Sequence, residues 1–129
     1  MTQLMTQAFL TDTVTPMPTR SMTMVLEGEI GQDDVVDIVD MLERLAGQGA
    51  IRVVVDMNAV SHFDYRGVWA LRRKAETLRQ LGGDLKLSGL SPYLHAIFRS
   101  TGANDSFDYF ANTEDALHSF NRAVFVHGD

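Results

Sequence analysis

The stretch Val53-Val54-Val55-Asp56-Met57-Asn58-Ala59-Val60-Ser61-His62-Phe63-Asp64-Tyr65-Arg66-Gly67-Val68 decides the fold. Ile51 to Met57 is an unbroken, valine-rich apolar run. That is the pattern of a central strand covered on both faces. A short loop carrying Ser61 and His62 follows, and Asp64 then opens a helix from Tyr65 to Leu81. Val68, Leu71, Ala75, Leu78 and Leu81 recur at helical spacing as its buried stripe, and Gly82-Gly83 ends it. A strand–loop–helix junction exposes loop side chains and unpaired backbone N–H groups. Small α/β domains place recognition or phosphate chemistry at such junctions.

On the N-terminal side, Ser21 to Ile30 alternates, with Met22, Met24 and Leu26 on one face. This predicts a strand with one buried side, ending at Gly28. Asp33 to Ala46 switches to helical period, with Val35, Ile38, Val39, Leu42, Leu45 and Ala46 on one stripe. Asp33 and Asp34 sit in its first turn, where negative charge suits the helix dipole. On the C-terminal side, Leu85 to Leu87 reads as a short strand. Ser91 to Thr101 reads as a helix with Ser91 as N-cap and Pro92 at its first position. Phe107 to Phe110 is a last strand, and Thr113 to Asn121 a last helix with a good capping sequence at its start. Residues 1–18 are expected to be a flexible segment or an edge strand near Ala8 to Val14, because Pro16 and Pro18 oppose helix there. Residues 19–122 form the domain and 123–129 a tail. The order β-β-α-β-α-β-α-β-α predicts an α/β layer with a mixed, mostly parallel sheet of four to five strands and about four helices. The strand from Met22 to Leu26 is a candidate edge for pairing in a homodimer.

The 129 residues amount to one domain, 45% hydrophobic and 22% charged. A net charge of −6 disfavours nucleic acid as the main partner. There are no cysteines, which excludes disulfides, thiol nucleophiles and thiolate metal sites. No apolar run reaches the roughly 20 residues that span a bilayer, and Met1 to Leu10 lacks the layout of a signal peptide. The cytoplasm is the expected location. His62, His95, His118 and His127 show no metal-ligand spacing. No nucleotide loop, catalytic triad or paired-carboxylate site is visible. Neither enzyme activity, cofactor nor metal is expected.

The charges segregate. The helix from Tyr65 gathers Arg66, Arg72, Arg73, Lys74 and Arg79 against Glu76. The preceding helix gathers Asp33, Asp34, Asp37, Asp40 and Glu43. Spacing puts Arg66, Trp69, Ala70 and Arg73 on one face, away from the buried stripe. Tryptophan and arginine are frequent interface anchors. Asp64 reads first as an N-cap. Arg66 in the first turn opposes the helix dipole, so stability alone does not select it. Arg66 reads as a solvated side chain, as a salt bridge to an acidic partner, or as a group that captures an anion at the helix N-terminus.

Four segments together resemble the STAS family, named after sulfate transporters and anti-sigma factor antagonists. They are Leu26-Glu27-Gly28-Glu29-Ile30, the junction from Val53 to Val68, Leu81-Gly82-Gly83-Asp84-Leu85-Lys86-Leu87, and Tyr93-Leu94-His95-Ala96-Ile97-Phe98-Arg99-Ser100-Thr101-Gly102. The resemblance spans roughly residues 20 to 120. It implies a non-enzymatic module that binds a protein partner, an anti-sigma factor that is also a serine kinase. In that branch, phosphorylation of the serine after the junction aspartate breaks the complex, because phosphate adds about −2 charge at a packed contact. Here Tyr65 stands at the phosphoserine position, Arg66 follows it, and Gly31 stands where an aspartate is usual. The partner-binding residues implied are His62, Asp64, Tyr65, Arg66, Trp69 and Arg73, with Ser61 an alternative phosphosite. Two other roles fit the same features. One is a cytoplasmic accessory subunit docking on a membrane transporter. The other is a nucleotide or small-anion sensor using Arg66 and the helix start.

Overall fold

A computed structural model describes residues 7–11 and 21–126, with backbone alone for 7–11 and 122–126. The elements are β1 (Gln7–Thr11), β2 (Ser21–Ile30), α1 (Gln32–Gly47), β3 (Arg52–Phe63), α2 (Tyr65–Gln80), β4 (Asp84–Ser88), α3 (Pro92–Ser100), a 3-10 turn (Asn104–Ser106), β5 (Tyr109–Phe110) and α4 (Thr113–Val126). The strands lie in the order β1-β2-β3-β4-β5. β1 pairs antiparallel with β2, and the other neighbours pair in parallel. This is the mixed, mostly parallel α/β sheet expected from the alternation of elements.

The sheet is covered on both faces. Met24, Leu26, Val53, Val55, Met57, Leu85 and Leu87 point to one side, where the apolar stripes of α1, α2 and α3 close the main core. Val54 points to the other side, against Ala116 and Phe120 of α4. The period of two is visible in β4: Leu85 and Leu87 enter the main core, and Lys86 and Ser88 face α4. There Lys86 Nζ donates to Ser119 Oγ at 2.6 Å and lies 4.3 Å from the centre of the Phe120 ring. Ser88 and Thr113 join hydroxyls at 2.8 Å.

Several boundaries differ from the sequence reading. β2 is buried on both sides as far as Met24, since Ser21 and Thr23 are also buried. It lies between β1 and β3, so it is an interior strand and no edge for a homodimer. It also runs past Gly28 to Ile30. The expected loop before Asp64 is strand: β3 continues to Phe63 and pairs with Glu27–Ile30. The register shifts between Val25 and Glu27 and again between Gly28 and Glu29. These irregularities let a polar, non-alternating sequence stay in the ladder. Leu81 is the C-cap of α2 and is exposed, outside the buried stripe. The start of α4 is capped by Asn112, whose Oδ1 accepts from the Asp115 N–H at 2.8 Å. α4 also continues through residues assigned to a tail, as far as Val126. Phe107 precedes β5 rather than joining it. β1 covers part of the segment read as flexible or edge strand; residues 1–6, 12–20 and 127–129 lie outside the described residues.

Candidate protein-binding surface

The C-terminal end of β3 and the N-terminal ends of α1, α2 and α3 meet at one end of the sheet. Asp64 N–H donates to the Ile30 carbonyl at 2.9 Å, which ties the ends of β2 and β3 together before α2 begins. Gly31 opens α1, and its N–H donates to Asp34 Oδ2 at 2.8 Å. Ser91 caps α3 by accepting from the Leu94 N–H at 3.2 Å.

Asp64 caps α2 as the sequence predicts. Its Oδ1 accepts the Arg66 N–H at 2.8 Å, one of the orphan donors of the first turn. The Arg66 side chain folds back on the same carboxylate. Nε reaches Oδ1 at 3.0 Å and Nη2 reaches Oδ2 at 2.8 Å, a two-pronged pair. The Asp64 carboxyl is accordingly held below its ordinary 3.8, first by the side-chain hydrogen bond from Arg66, with partial burial opposing. The fork also explains how a cation sits in the first turn of α2: the cap's own charge compensates it. The guanidinium lies 5.6 Å from the centre of the Tyr65 ring.

Around this cap the surface is aromatic and exposed. Tyr65 is 59%, Tyr93 53% and Trp69 42% exposed. His62 Nδ1 and Tyr93 Oη lie 2.7 Å apart, which links the end of β3 to the start of α3. Arg72 stacks 5.5 Å from the Trp69 ring centre and pairs with Glu76 at 3.4 Å. Trp69, Arg72, Arg73 and Glu76 line a shallow hollow of about 190 Å³.

Of the residues singled out in the sequence, His62 is exposed near the end of β3, Asp64 caps α2, and Tyr65, Arg66, Trp69 and Arg73 are exposed on α2. Ser61 is an exposed strand residue with no counterpart on β2 in the shifted register. Tyr93 and the exposed Val36 of α1 belong to the same end of the molecule, and sequence reasoning missed both. Tyr93 lies 31 residues from His62 in the chain, so only tertiary contact identifies it. Val36 carried a usable signal, as an apolar residue on the polar side of the α1 stripe. Among the described residues, no group of three or more His, Asp or Glu side chains could hold a metal ion. No helix there is long and apolar enough to cross a membrane.

The STAS domain family profile matches residues 14–116. BtrV of Bordetella bronchiseptica, named an anti-sigma factor antagonist, is 25% identical over 99 residues, 77% of this chain and 85% of BtrV. Among solved structures, the unphosphorylated anti-sigma factor antagonist SpoIIAA superposes with a TM-score of 0.70 at 19% identity, covering 89% of this chain and 96% of SpoIIAA. An anti-sigma factor antagonist from Mycobacterium paratuberculosis gives 0.71 at 17% identity, covering 89% of this chain and 93% of its own. At these identities the two structures share the fold.

Proposed function

The chain belongs to the STAS domain family, and on that footing we propose that it is a non-enzymatic cytoplasmic regulator that binds an anti-sigma factor of the serine-kinase type. The binding surface is the edge built by His62, Asp64, Tyr65, Arg66, Trp69 and Arg73. The observation that carries this reading is the cap of α2. The helix start, its aspartate and the close-packed Gly67 are all in place, and around them stand exposed Tyr65, Trp69 and Tyr93. A buried core explains none of those three rings; a protein partner does. The relatives named as anti-sigma factor antagonists support the partner class.

Control of this complex differs from a serine switch. The side chain after the cap is a phenol, and the next is a guanidinium already engaged by Asp64. A serine kinase finds no aliphatic hydroxyl at either position. The partner is bound without being able to release itself by modifying Tyr65.

The test is co-purification from the native host followed by calorimetry with the purified kinase. Arg66→Glu and Trp69→Ala are each expected to weaken binding by about tenfold or more. Unchanged binding by both variants would remove this surface. With kinase and ATP, mass spectrometry is expected to find Tyr65 unmodified and the Tyr65→Ser variant phosphorylated at that position. Modification of Ser61 in the wild-type chain would instead relocate the switch.

A further inference from the structure

The outer faces of α1 and α2 carry a pattern that binding at the α2 cap does not require. α1 exposes Asp33, Val36 and Asp40, and α2 exposes Arg66, Trp69 and Arg73. Among the described residues, no ion pair holds Asp33, Asp40 or Arg73. Both helices follow parallel strands and pack on the same face of the sheet. They therefore run side by side in the same direction.

Two contacts set their relative level. Val35 packs where a Cβ on Gly67 would fall, 2.5 Å from that position. Lys74 Nζ meets Glu43 Oε1 at 2.7 Å. Residues of α2 thus lie level with residues of α1 that come 31 or 32 positions earlier. Asp33 with Arg66, Val36 with Trp69, and Asp40 with Arg73 are each level to within about 3 Å at the helical rise of about 1.5 Å per residue. Carboxylate, apolar, carboxylate on one helix is matched by guanidinium, indole, guanidinium on the next.

A two-fold axis parallel to the helices, lying between them at their outer surface, places α1 of one copy over α2 of the other. It leaves every level unchanged. The Val36–Trp69 and Asp40–Arg73 matches are then each satisfied twice, as a self-complementary interface demands, while Arg66 keeps its pair with Asp64. From this we infer that the chain associates with a second copy of itself through the paired outer faces of α1 and α2. Asp40 of each copy faces Arg73 of the other, and Val36 packs against Trp69. Two 16-residue helices, each about 24 Å long, offer an area near the lower end of specific interfaces. The dimer is accordingly weak and concentration-dependent. If the partner surface is as proposed above, a further consequence follows: Trp69 and Arg73 cannot serve both, so self-association competes with partner binding. That is an off-state that needs no phosphorylatable serine. The dimer itself does not rest on that reading.

Sedimentation velocity on the purified full chain, without any partner, tests it. The wild-type mass is expected to rise from monomer toward dimer with concentration through the micromolar range. Asp40→Arg and Arg73→Asp each place like charges at both contacts, and each is expected to weaken association by about tenfold or more. Mixed in equal amounts, the two variants are expected to dimerise as the wild type does, because both contacts again pair opposite charges. Both positions are exposed, and circular dichroism checks that the variants fold. A wild type that stays monomeric overturns the inference, even if it still binds a kinase. So does a mixture that stays monomeric while the wild type dimerises.

Discussion

Asp64 spends one carboxylate on two tasks, and substitution separates them. Asparagine keeps a good cap for the Arg66 N–H and loses the ion pair; alanine loses both. Because the pair is largely solvent-facing, with Arg66 side-chain exposure of 52%, water and salt screen it and its contribution is small beside that of the cap. Asp64→Asn is therefore expected to cost less than Asp64→Ala, which is expected to cost about 1 kcal/mol or somewhat more in urea unfolding. The sign of the pH dependence follows from the direction of the shift. The folded carboxyl lies below its ordinary 3.8, so the unfolded chain takes up a proton first as pH falls. The stabilisation is complete above the unfolded value and is lost as pH drops through the folded one. The stability gap between wild type and Asp64→Asn is expected to be flat above about pH 5 and to shrink below about pH 4. A gap that grows on acidification would contradict the fork. The cap was legible from an aspartate before a helical period. The fork was not, because an arginine two residues on has many rotamers and only the folded surface selects one.

α2 meets α1 and β3 without room for a side chain at Gly67. An added Cβ would lie 2.5 Å from Val35 Cγ2 and 2.8 Å from Phe63 Cε1, inside what real contacts allow. Val35 is stiff at its branched carbon, and Phe63 is fully buried, so neither yields freely. Overpacking of this kind costs about 1–3 kcal/mol, offset by about 1 kcal/mol of better helix propensity. Gly67→Ala is expected to lose about 1 kcal/mol net, measured by thermal or urea unfolding. It is also expected to displace the start of α2, weakening partner binding more than the stability loss explains. A helical glycine in the first turn is a plain sequence signal, and the junction motif contains it. That Val35 of α1 and Phe63 of β3 close on it depends on packing. The same distinction holds for β3. Valine-rich Ile51 to Met57 announces a strand by itself, whereas Asn58 to His62 has no strand period and is extended because β2 runs beside it.

Among the described residues, the sheet carries a large buried cluster on one face and a smaller one on the other. Val54, Ala116 and Phe120 are the buried members of the smaller cluster among those residues. Phe120→Ala removes the ring that lies over both Val54 and Lys86. It is expected to cost about 3 kcal/mol or more, with the loss seen as a lower urea midpoint, while the α1, α2 and α3 face retains its packing. An effect under about 1 kcal/mol would show that α4 contributes little to the fold. The sequence by itself determined the order and type of the elements, the parallel sheet, the apolar stripes of α1 and α2, and the aspartate cap. Each of these is encoded by local period or by a residue's own backbone preference. It also determined that no serine follows that cap. Only the tertiary structure decided that β2 is interior, that β3 runs on to Phe63, and that Tyr93 bonds to His62. It alone set the acidic and basic helices side by side at matching levels. These depend on which segments become neighbours across tens of residues, and burial of the whole core, rather than any local pattern, selects that arrangement.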